Sequence, residues 1–432
     1  MTRAARTRPV YVVDGARTPF LRARNAPGPF TPVDLAVACG RALLLRQPFA
    51  PDAFDMAILG MVNVIADEMN PARVAALRLG MGERMVAFTE QVNCGSGMQS
   101  IDIAFRYIAA GEADLVLAGG AEALSHAPLV FRRAAVEWFG RLMTARGWWR
   151  RLPALAQVRP RFFSPVIGLE RGLTDPVVGL NMGQTAEVLA HLFGVSRQAA
   201  DEYAVESHRR LAWAQAEGFL DGEVVPLIDR EGRLYPRDDG VRPDSTVEKL
   251  AALRPVFERP YGRVTAGNSS QITDGASWLI LASEAAVEAH GLSPRARIVD
   301  AEWQALDPSV MGLGPVLAAT EIVKRQGLAR QDIELWELNE AFAAQLLACL
   351  AAWEDARFSV EVLGLDGAFG PIERARLNVD GGAISLGHPV GSSGNRITLH
   401  LINALHRLGL RRGIATQCVG GGIGGALLVE RV

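Results

Sequence analysis

Three residues stand where a reactive side chain meets open backbone. Cys94 lies between a strand-like apolar run, residues 86–92, and a helix start, with Gly95 and Gly97 beside it. A thiol at a helix N-terminus feels the positive end of the dipole, which lowers its pKa and favours the thiolate. The same position also suits a small core residue at a tight turn. His388 sits in Gly387-His388-Pro389, followed by Gly391-Ser392-Ser393-Gly394. Packing demands no imidazole in such a turn, so the residue reads as a base or an oxyanion donor. Cys418 ends a strand and is followed by Val419-Gly420-Gly421-Gly422-Ile423-Gly424-Gly425. A turn this poor in side chains costs conformational entropy, and it makes sense where backbone amides must approach a ligand. The remaining cysteines, Cys39 and Cys349, lie in apolar helical stretches and read as core.

The elements that position these residues follow an alternating grammar. Residues 10–13 read as a buried strand closed by a turn at Asp14-Gly15, and 56–62 as another. After Cys94, Met98, Ile101, Phe105 and Ile108 recur at helical spacing. Residues 114–118 form an apolar run ending at Gly119-Gly120. The C-terminal part repeats the pattern, with strands at 297–299, 332–336, 414–419 and 426–429. Helices are expected at 341–353 and 396–408, the latter opened by 387–394, with Ile397, Leu401 and Leu405 on one face. Strands alternating with helices indicate an α/β fold with buried sheets, built as a duplicated unit.

Between the halves the pattern breaks. Residues 131–173 hold nine arginines against Glu137 and Glu170, together with Trp138, Trp148 and Trp149, a basic amphipathic insert. Residues 182–219 look helical, and 220–260, rich in Pro, Asp and Arg, read as loop. The expected organisation is an N-terminal α/β half over 1–128 and 263–284, an inserted loop domain over 129–262, and a C-terminal α/β half over 285–432.

Bulk composition narrows the function. In 432 residues, 49% are hydrophobic, 21% charged and the net charge is −2, which fits a large packed core and excludes disorder. Only Lys249 and Lys324 are lysines, so 43 of the 45 basic residues are arginine. They are spread along the chain and leave no nucleic-acid footprint. Four scattered cysteines without a CxxC pair indicate neither a disulfide framework nor zinc, and fit the reducing cytoplasm. The basic stretch 1–8 lacks the apolar region of a signal peptide, and no apolar run is long enough to span a bilayer.

Taken together, these segments resemble the thiolase family over essentially the whole chain. Residues 92–100, VNCGSGMQS, look like its nucleophile segment, and Asn339-Glu340-Ala341-Phe342-Ala343 like its NEAF motif. GGAISLGHPVGSSG at 381–394 resembles the GHP histidine motif, and 418–425 the CxGGGxG motif of a second cysteine. Residues 267–276 match GNxSxxxDGA, and NMGQTAE at 181–187 matches the loop-domain signature. The resemblance implies a thiolase-like αβαβα layered fold with an inserted, mostly helical loop domain. It implies an acyltransferase that cleaves 3-ketoacyl-CoA or condenses acetyl-CoA, in fatty acid metabolism such as β-oxidation, with coenzyme A as substrate and no permanently bound cofactor. By the same resemblance, Cys94 takes the acyl group, His388 deprotonates it, and Cys418 moves the α-proton. Asn339 would hold a water that stabilises the enolate. The amides of Cys94 and Gly420 would form an oxyanion hole, and Ser270 would lie against coenzyme A. A homodimer or homotetramer is implied, with no metal and no nucleic-acid partner.

Two departures stand out. Asn93 directly precedes Cys94, where the family usually separates its Val-Asn pair from the cysteine. The 131–173 insert resembles that of thiolases serving as β subunits of fatty-acid oxidation complexes, which commonly carry His where this chain has Asn339. A partner subunit or a peripheral membrane contact through 131–173 is therefore a further expectation. Two other readings compete: a decarboxylating ketoacyl synthase-like enzyme, and a non-catalytic acyl-CoA or lipid-binding relative. Cys418 and the GHP motif argue against the first. The joint presence of Cys94, His388 and Cys418 argues against the second.

Overall fold

The computed structural model describes residues 8–24 and 26–432; the basic stretch 1–7 lies outside the described residues. Nine strands form the main sheet. They are β1 (Val10–Arg17), β2 (Met56–Gly60), β3 (Val86–Glu90), β4 (Leu115–Ala123), β5 (Thr273–Ser283), β6 (Ala296–Ala305), β7 (Leu335–Leu338), β8 (Arg412–Val419) and β9 (Ile423–Arg431). Their order is β7-β8-β9-β6-β1-β5-β4-β2-β3, with the short strand Leu21–Arg22 added beside β5.

The duplication is visible in the pairing. In the first half β2 runs parallel to β4, which continues antiparallel into β5 and β1. In the second, β7 runs parallel to β8, which continues antiparallel into β9 and β6. The halves are not separate sheets. Val10, Tyr11 and Val12 of β1 pair with Ile298, Arg297 and Ala296 of β6, which makes the hydrogen-bonded path continuous.

Helix α1 (Pro32–Leu44) packs on β5, and two helices occupy the centre and pack on each other: α2 (Ser96–Ala110) and α9 (Val390–Leu408). α2 buries Met98, Ile101, Phe105 and Ile108, and it stops at Gly111, whose φ of 80° is a left-handed cap. α9 begins at Val390, six residues before the sequence pattern predicts. Its first turn is polar and small, Gly391-Ser392-Ser393-Gly394, and all of it is buried. Period alone could not show this, because the apolar face signals a helix only where one side meets water. The glycines there permit close crossing: a Cβ on Gly97 would stand 2.7 Å from the Gly391 carbonyl oxygen.

Other expectations were also shifted by packing. β1 runs through Asp14-Gly15 rather than turning there, with a bulge between Val12 and Asp14. β4 likewise continues through Gly119-Gly120 to Ala123. Glycine there serves close approach, since a Cβ on Gly119 would strike the Trp278 ring. The 220–260 stretch, read as loop, contains a hairpin pairing Leu227–Ile228 with Leu234–Tyr235, and a helical turn at Val247–Ala251. Asp229 builds the hairpin turn by accepting from the backbone N–H groups of Glu231 and Arg233.

Within 129–262, α3 (Arg133–Thr144) and α4 (Trp148–Ala156) pack together over Ala135, Trp138 and Phe162. The Trp138 indole donates to the Ala154 carbonyl at 2.7 Å. The other two tryptophans are not in this small core: Trp148 and Trp149 are 58% and 69% exposed. α5 (Met182–Leu192) and α6 (Arg197–Ala216) follow and pack on α8 (Ala343–Glu354), while α7 (Gly314–Arg325) covers β6, β8 and β9. Among the described residues no helix is long and apolar enough to cross a membrane.

A buried ionic network ties the three regions. The Arg17 guanidinium of β1, 1% exposed, donates to Glu223 and Asp238 of the insert. Glu223 also lies 3.1 Å from His400 of α9, whose other ring nitrogen is 3.1 Å from Asp380. Burial alone would depress the imidazole, yet Glu223 and Asp380 raise it to about 10. An imidazolium with a folded pKa of about 10 and an unfolded one of about 6.5 stabilises fully below pH 6.5. That stability is lost as pH rises through about 10. We expect His400→Gln to cost about 2–3 kcal/mol at pH 7, because two buried carboxylates lose a shared cation, Glu223 keeping only Arg17 and Asp380 only Arg407. Urea unfolding across pH 7–10 checks this. The wild-type midpoint should fall toward pH 10 and the variant's should not; a loss below about 1 kcal/mol would refute the network's role.

Candidate active site

Cys94 sits on a short loop between β3 and α2, and that loop is braced from both sides. Asn93 adopts a left-handed φ of 43°. Its side-chain amide donates to the Gly420 carbonyl at 2.8 Å. The Ser96 hydroxyl donates to the Asn93 carbonyl and accepts from the Val92 N–H. The loop is thereby fixed against the glycine turn after Cys418, 327 residues away in sequence.

That turn joins β8 to β9, with Gly421 and Gly422 at φ of 94° and 79°. A Cβ on Gly422 would stand 2.2 Å from the Leu306 carbonyl oxygen, so only glycine fits. The backbone amides of Gly420 and of Cys94 itself act to lower the Cys94 thiol against its burial. Cys418, 2% exposed, packs among Met311, Ala341, Met182 and Phe342. Burial, and then the nearby Cys94 sulfur, push its thiol well above the ordinary value.

Asn339 follows β7 and anchors through its N–H to the Thr416 carbonyl at 3.0 Å. Its side chain is 1% exposed, and neither amide atom has a partner. Glu340 beside it is structural. It accepts from Tyr203, Ser207 and Asn378 and from the Ile384 N–H, which locks α6 to the C-terminal half.

His388 precedes α9. Its N–H donates to the Gln271 carbonyl at 3.0 Å. Ser270, the preceding residue, donates its own N–H to the Ala341 carbonyl at 3.0 Å. The half-buried Ser270 thus lies between the Asn339 and His388 loops. The His388 Nδ1 is 2.6 Å from the Ser393 hydroxyl, which donates to the Pro389 carbonyl at 3.2 Å. Assigning the hydroxyl proton to Pro389 puts the ring proton on Nδ1 and leaves Nε2 a lone pair. Nε2 is buried without a partner. Burial, reinforced by the Arg396 charge, lowers the imidazole to about 4, so it stands neutral at pH 7. A neutral ring with an open Nε2 is a proton acceptor.

The sequence expectation for Cys94 changes in one respect. The helix N-terminus alone would favour thiolate, but burial pushes the thiol up to about 11, and the two backbone amides only partly offset it. The Glu122 carboxyl adds to the rise. The resting proton therefore sits on sulfur rather than on His388. We expect alkylation of Cys94 by iodoacetamide to accelerate about tenfold per pH unit from pH 7 to 9. A plateau near pH 7, seen by mass spectrometry of the labelled peptide, would instead reveal a preformed thiolate–imidazolium pair.

Among the six residues expected to act, Cys94 lies near Cys418, its loop is bonded to Gly420, Asn339 is anchored two residues before Cys418 at Thr416, and the Ser270 segment bonds both the Asn339 and the His388 segments. Asn93, Ser393 and Glu122 were not singled out for roles. Glu122, at the end of β4, accepts from the N–H groups of Val62, Asn63 and Gly391, joining the first half to the turn after His388. Ser393 lies in the first turn of α9, five residues after His388, a proximity that becomes readable only once the helix start is known. Among the described residues no cluster of His, Cys, Asp or Glu could hold a metal ion.

Comparison with known proteins gives a consistent picture. The family description "Thiolase, N-terminal domain" matches residues 10–285, and "Thiolase, C-terminal domain" matches residues 292–431. The chain is 40% identical to a beta-ketoadipyl-CoA thiolase of Pseudomonas aeruginosa, over 99% of this chain and 100% of that protein. It is 36% identical to the mitochondrial trifunctional enzyme subunit beta of Bos taurus, over 98% of this chain and 88% of that one. A crystal structure of human mitochondrial 3-ketoacyl-CoA thiolase in complex with CoA superposes with a TM-score of 0.84 at 36% identity. It covers 98% of each chain.

Proposed function

Because the chain belongs to the thiolase family, and so is a coenzyme A-dependent acyltransferase, we propose the following assignment of its residues and substrate. The enzyme cleaves a 3-ketoacyl-CoA, with a short, carboxylate-ended acyl chain of the 3-oxoadipyl type as the first candidate. The 40% identical relative named for that substrate supports this choice.

The observation that carries the assignment is a set of buried groups left unpaired around two thiols. Both amide atoms of Asn339 and Nε2 of His388 lack partners inside the protein. Buried polar groups are nearly always satisfied, so these await a ligand. In the cleavage direction, His388 Nε2 takes the Cys94 proton, and the sulfur attacks the keto carbon. The amides of Cys94 and Gly420 hold the resulting oxyanion. The bond between C2 and C3 then breaks, and its electron pair becomes the enolate of acetyl-CoA. His388 and a water on Asn339 stabilise that enolate, while Cys418 delivers a proton to C2. Coenzyme A, lying along Ser270, then gives its thiol proton to the Cys418 thiolate and takes the acyl group from Cys94, whose sulfur regains its proton from His388. Condensation is the same path reversed.

Both thiols must stay reduced for this chemistry, which supports a reducing compartment such as the cytoplasm; recovery only in a membrane-enclosed oxidising fraction would contradict that. The edge strand β3 is left without a neighbour on one side, with Val86 58% exposed, which supports a homodimer through this half. A monomer at micromolar concentration in light scattering would refute it. The test of substrate is thiolysis of acetoacetyl-CoA, 3-oxoadipyl-CoA and 3-oxodecanoyl-CoA. The highest kcat/KM on 3-oxoadipyl-CoA supports the proposal, and preference for the long chain overturns the substrate assignment.

A further inference from the structure

Asn93 stands where this chain departs from the usual nucleophile segment, and the structure gives it two tasks. The first is local. The Gly95 N–H donates to the Val92 carbonyl at 2.8 Å, which closes a four-residue turn over 92–95 with Asn93 and Cys94 at its corners. Asn93 takes the first corner at a φ of 43°, a left-handed conformation that asparagine tolerates better than other residues with a side chain. Its backbone therefore sets the direction in which Cys94 leaves the loop.

The second task reaches across the chain. The last residues to pair between β8 and β9 are Val419 and Ile423, so Gly420, Gly421 and Gly422 lie beyond the ladder. The far end of this turn is held by main chain, since the Leu306 N–H donates to the Gly422 carbonyl at 2.9 Å. At the near end Gly420 has no side chain to pack, and its carbonyl accepts from the Asn93 amide at 2.8 Å. The Gln91 amide donates to the Asn93 Oδ1 at 3.4 Å, which turns the Asn93 nitrogen toward Gly420.

Asn93 is exposed, so packing accounts for neither its backbone nor its residue type. The two tasks together do. Glycine would accept the positive φ but carries no donor, aspartate would set an acceptor against the Gly420 carbonyl, and alanine would meet neither need.

We propose that Asn93 is a positioning residue, which holds the Cys94 sulfur and the Gly420 amide in fixed register from opposite halves of the chain. The inference rests on the roles given above to those two groups. It concerns acyl transfer at Cys94 and leaves the proton chemistry of Cys418 and Asn339 alone. Loss of an oxyanion donor costs about 10²–10³-fold, and misplacing one costs somewhat less.

The test uses the full-length enzyme with Asn93→Gly and Asn93→Ala. Acylation of Cys94 by acetyl-CoA is followed in a single turnover by mass spectrometry, and exchange of the acetyl α-hydrogens in deuterated water is followed separately. Asn93→Gly should acylate about 10–100-fold more slowly, with exchange and the KM for acetyl-CoA within about threefold of wild type and an unchanged melting midpoint. Asn93→Ala should show the same slowing and a lower melting midpoint, because alanine resists the left-handed backbone. Should it fail to fold, Asn93→Gly still decides. Acylation of Asn93→Gly within about threefold of wild type overturns the inference. So does an equal loss of acylation and exchange, which would mark a general disturbance of the site. Wild-type enzyme that takes no acetyl group on Cys94 would overturn the assignment above and this inference with it; acylated wild type with unaffected variants overturns this inference alone.

Discussion

Cys94→Ser should fold as the wild type does, fail to form an acyl-enzyme, and lose turnover by at least about 10⁴-fold. Losses of that size follow removal of a nucleophile that acts as one unit with its base. A serine hydroxyl in the same place faces the same neutral His388 Nε2 and the same amides of Cys94 and Gly420. It differs in being far harder to deprotonate and a weaker nucleophile toward carbonyl carbon. The surrounding braces do not use the thiol: Asn93, Ser96 and Gly420 hold the loop through other atoms. Stability should therefore change little. Incubation with radiolabelled acetyl-CoA, followed by denaturing gel filtration, should leave label on the wild type and none on the variant. Label on Cys94→Ser would show that another group carries the acyl chain.

Cys418→Ala should separate the two half-reactions. Acylation of Cys94 needs the base and the oxyanion amides, and neither involves the second sulfur. The variant should still take up label from acetyl-CoA. Exchange of the acetyl α-hydrogens in deuterated water, and overall thiolysis, should both fall by about 10²–10⁴-fold, the range for a lost general acid–base. Removing the sulfur from a pocket formed with Met311 and Ala341 leaves a small void, which costs on the order of 1 kcal/mol of stability. Normal exchange would mean that a different group handles the proton at C2. His388→Ala is the control, because it should lose labelling as well as exchange.

The chemistry of the site was legible in the chain before its shape was known. A cysteine, a histidine and a second cysteine, each set among glycines, mark three places where backbone and a reactive side chain come close. Their spacing with the Asn339 and Ser270 segments is specific enough to indicate the family. Element types were legible too, because β2, β3, α2 and β8 are apolar in runs or periods that admit one reading.

Other features were decided only by tertiary structure, for three physical reasons. First, burial on all sides erases periodicity, so the start of α9 at Val390 and the passage of β4 through its glycines depended on what packs against them. Second, ionisation depends on solvent and on distant neighbours. The dipole argument for Cys94 concerned only its own helix, while the desolvation that raises the thiol to about 11 exists only in the folded chain. Third, orphaned polar groups are a property of space. Nothing in the letters shows that the Asn339 amide and His388 Nε2 lack partners while Glu340, the very next residue, has four. The sequence by itself determined which groups can react and in what kind of fold. The folded chain decided which proton sits where, because protonation is set by the dielectric and the hydrogen bonds that only three-dimensional packing supplies.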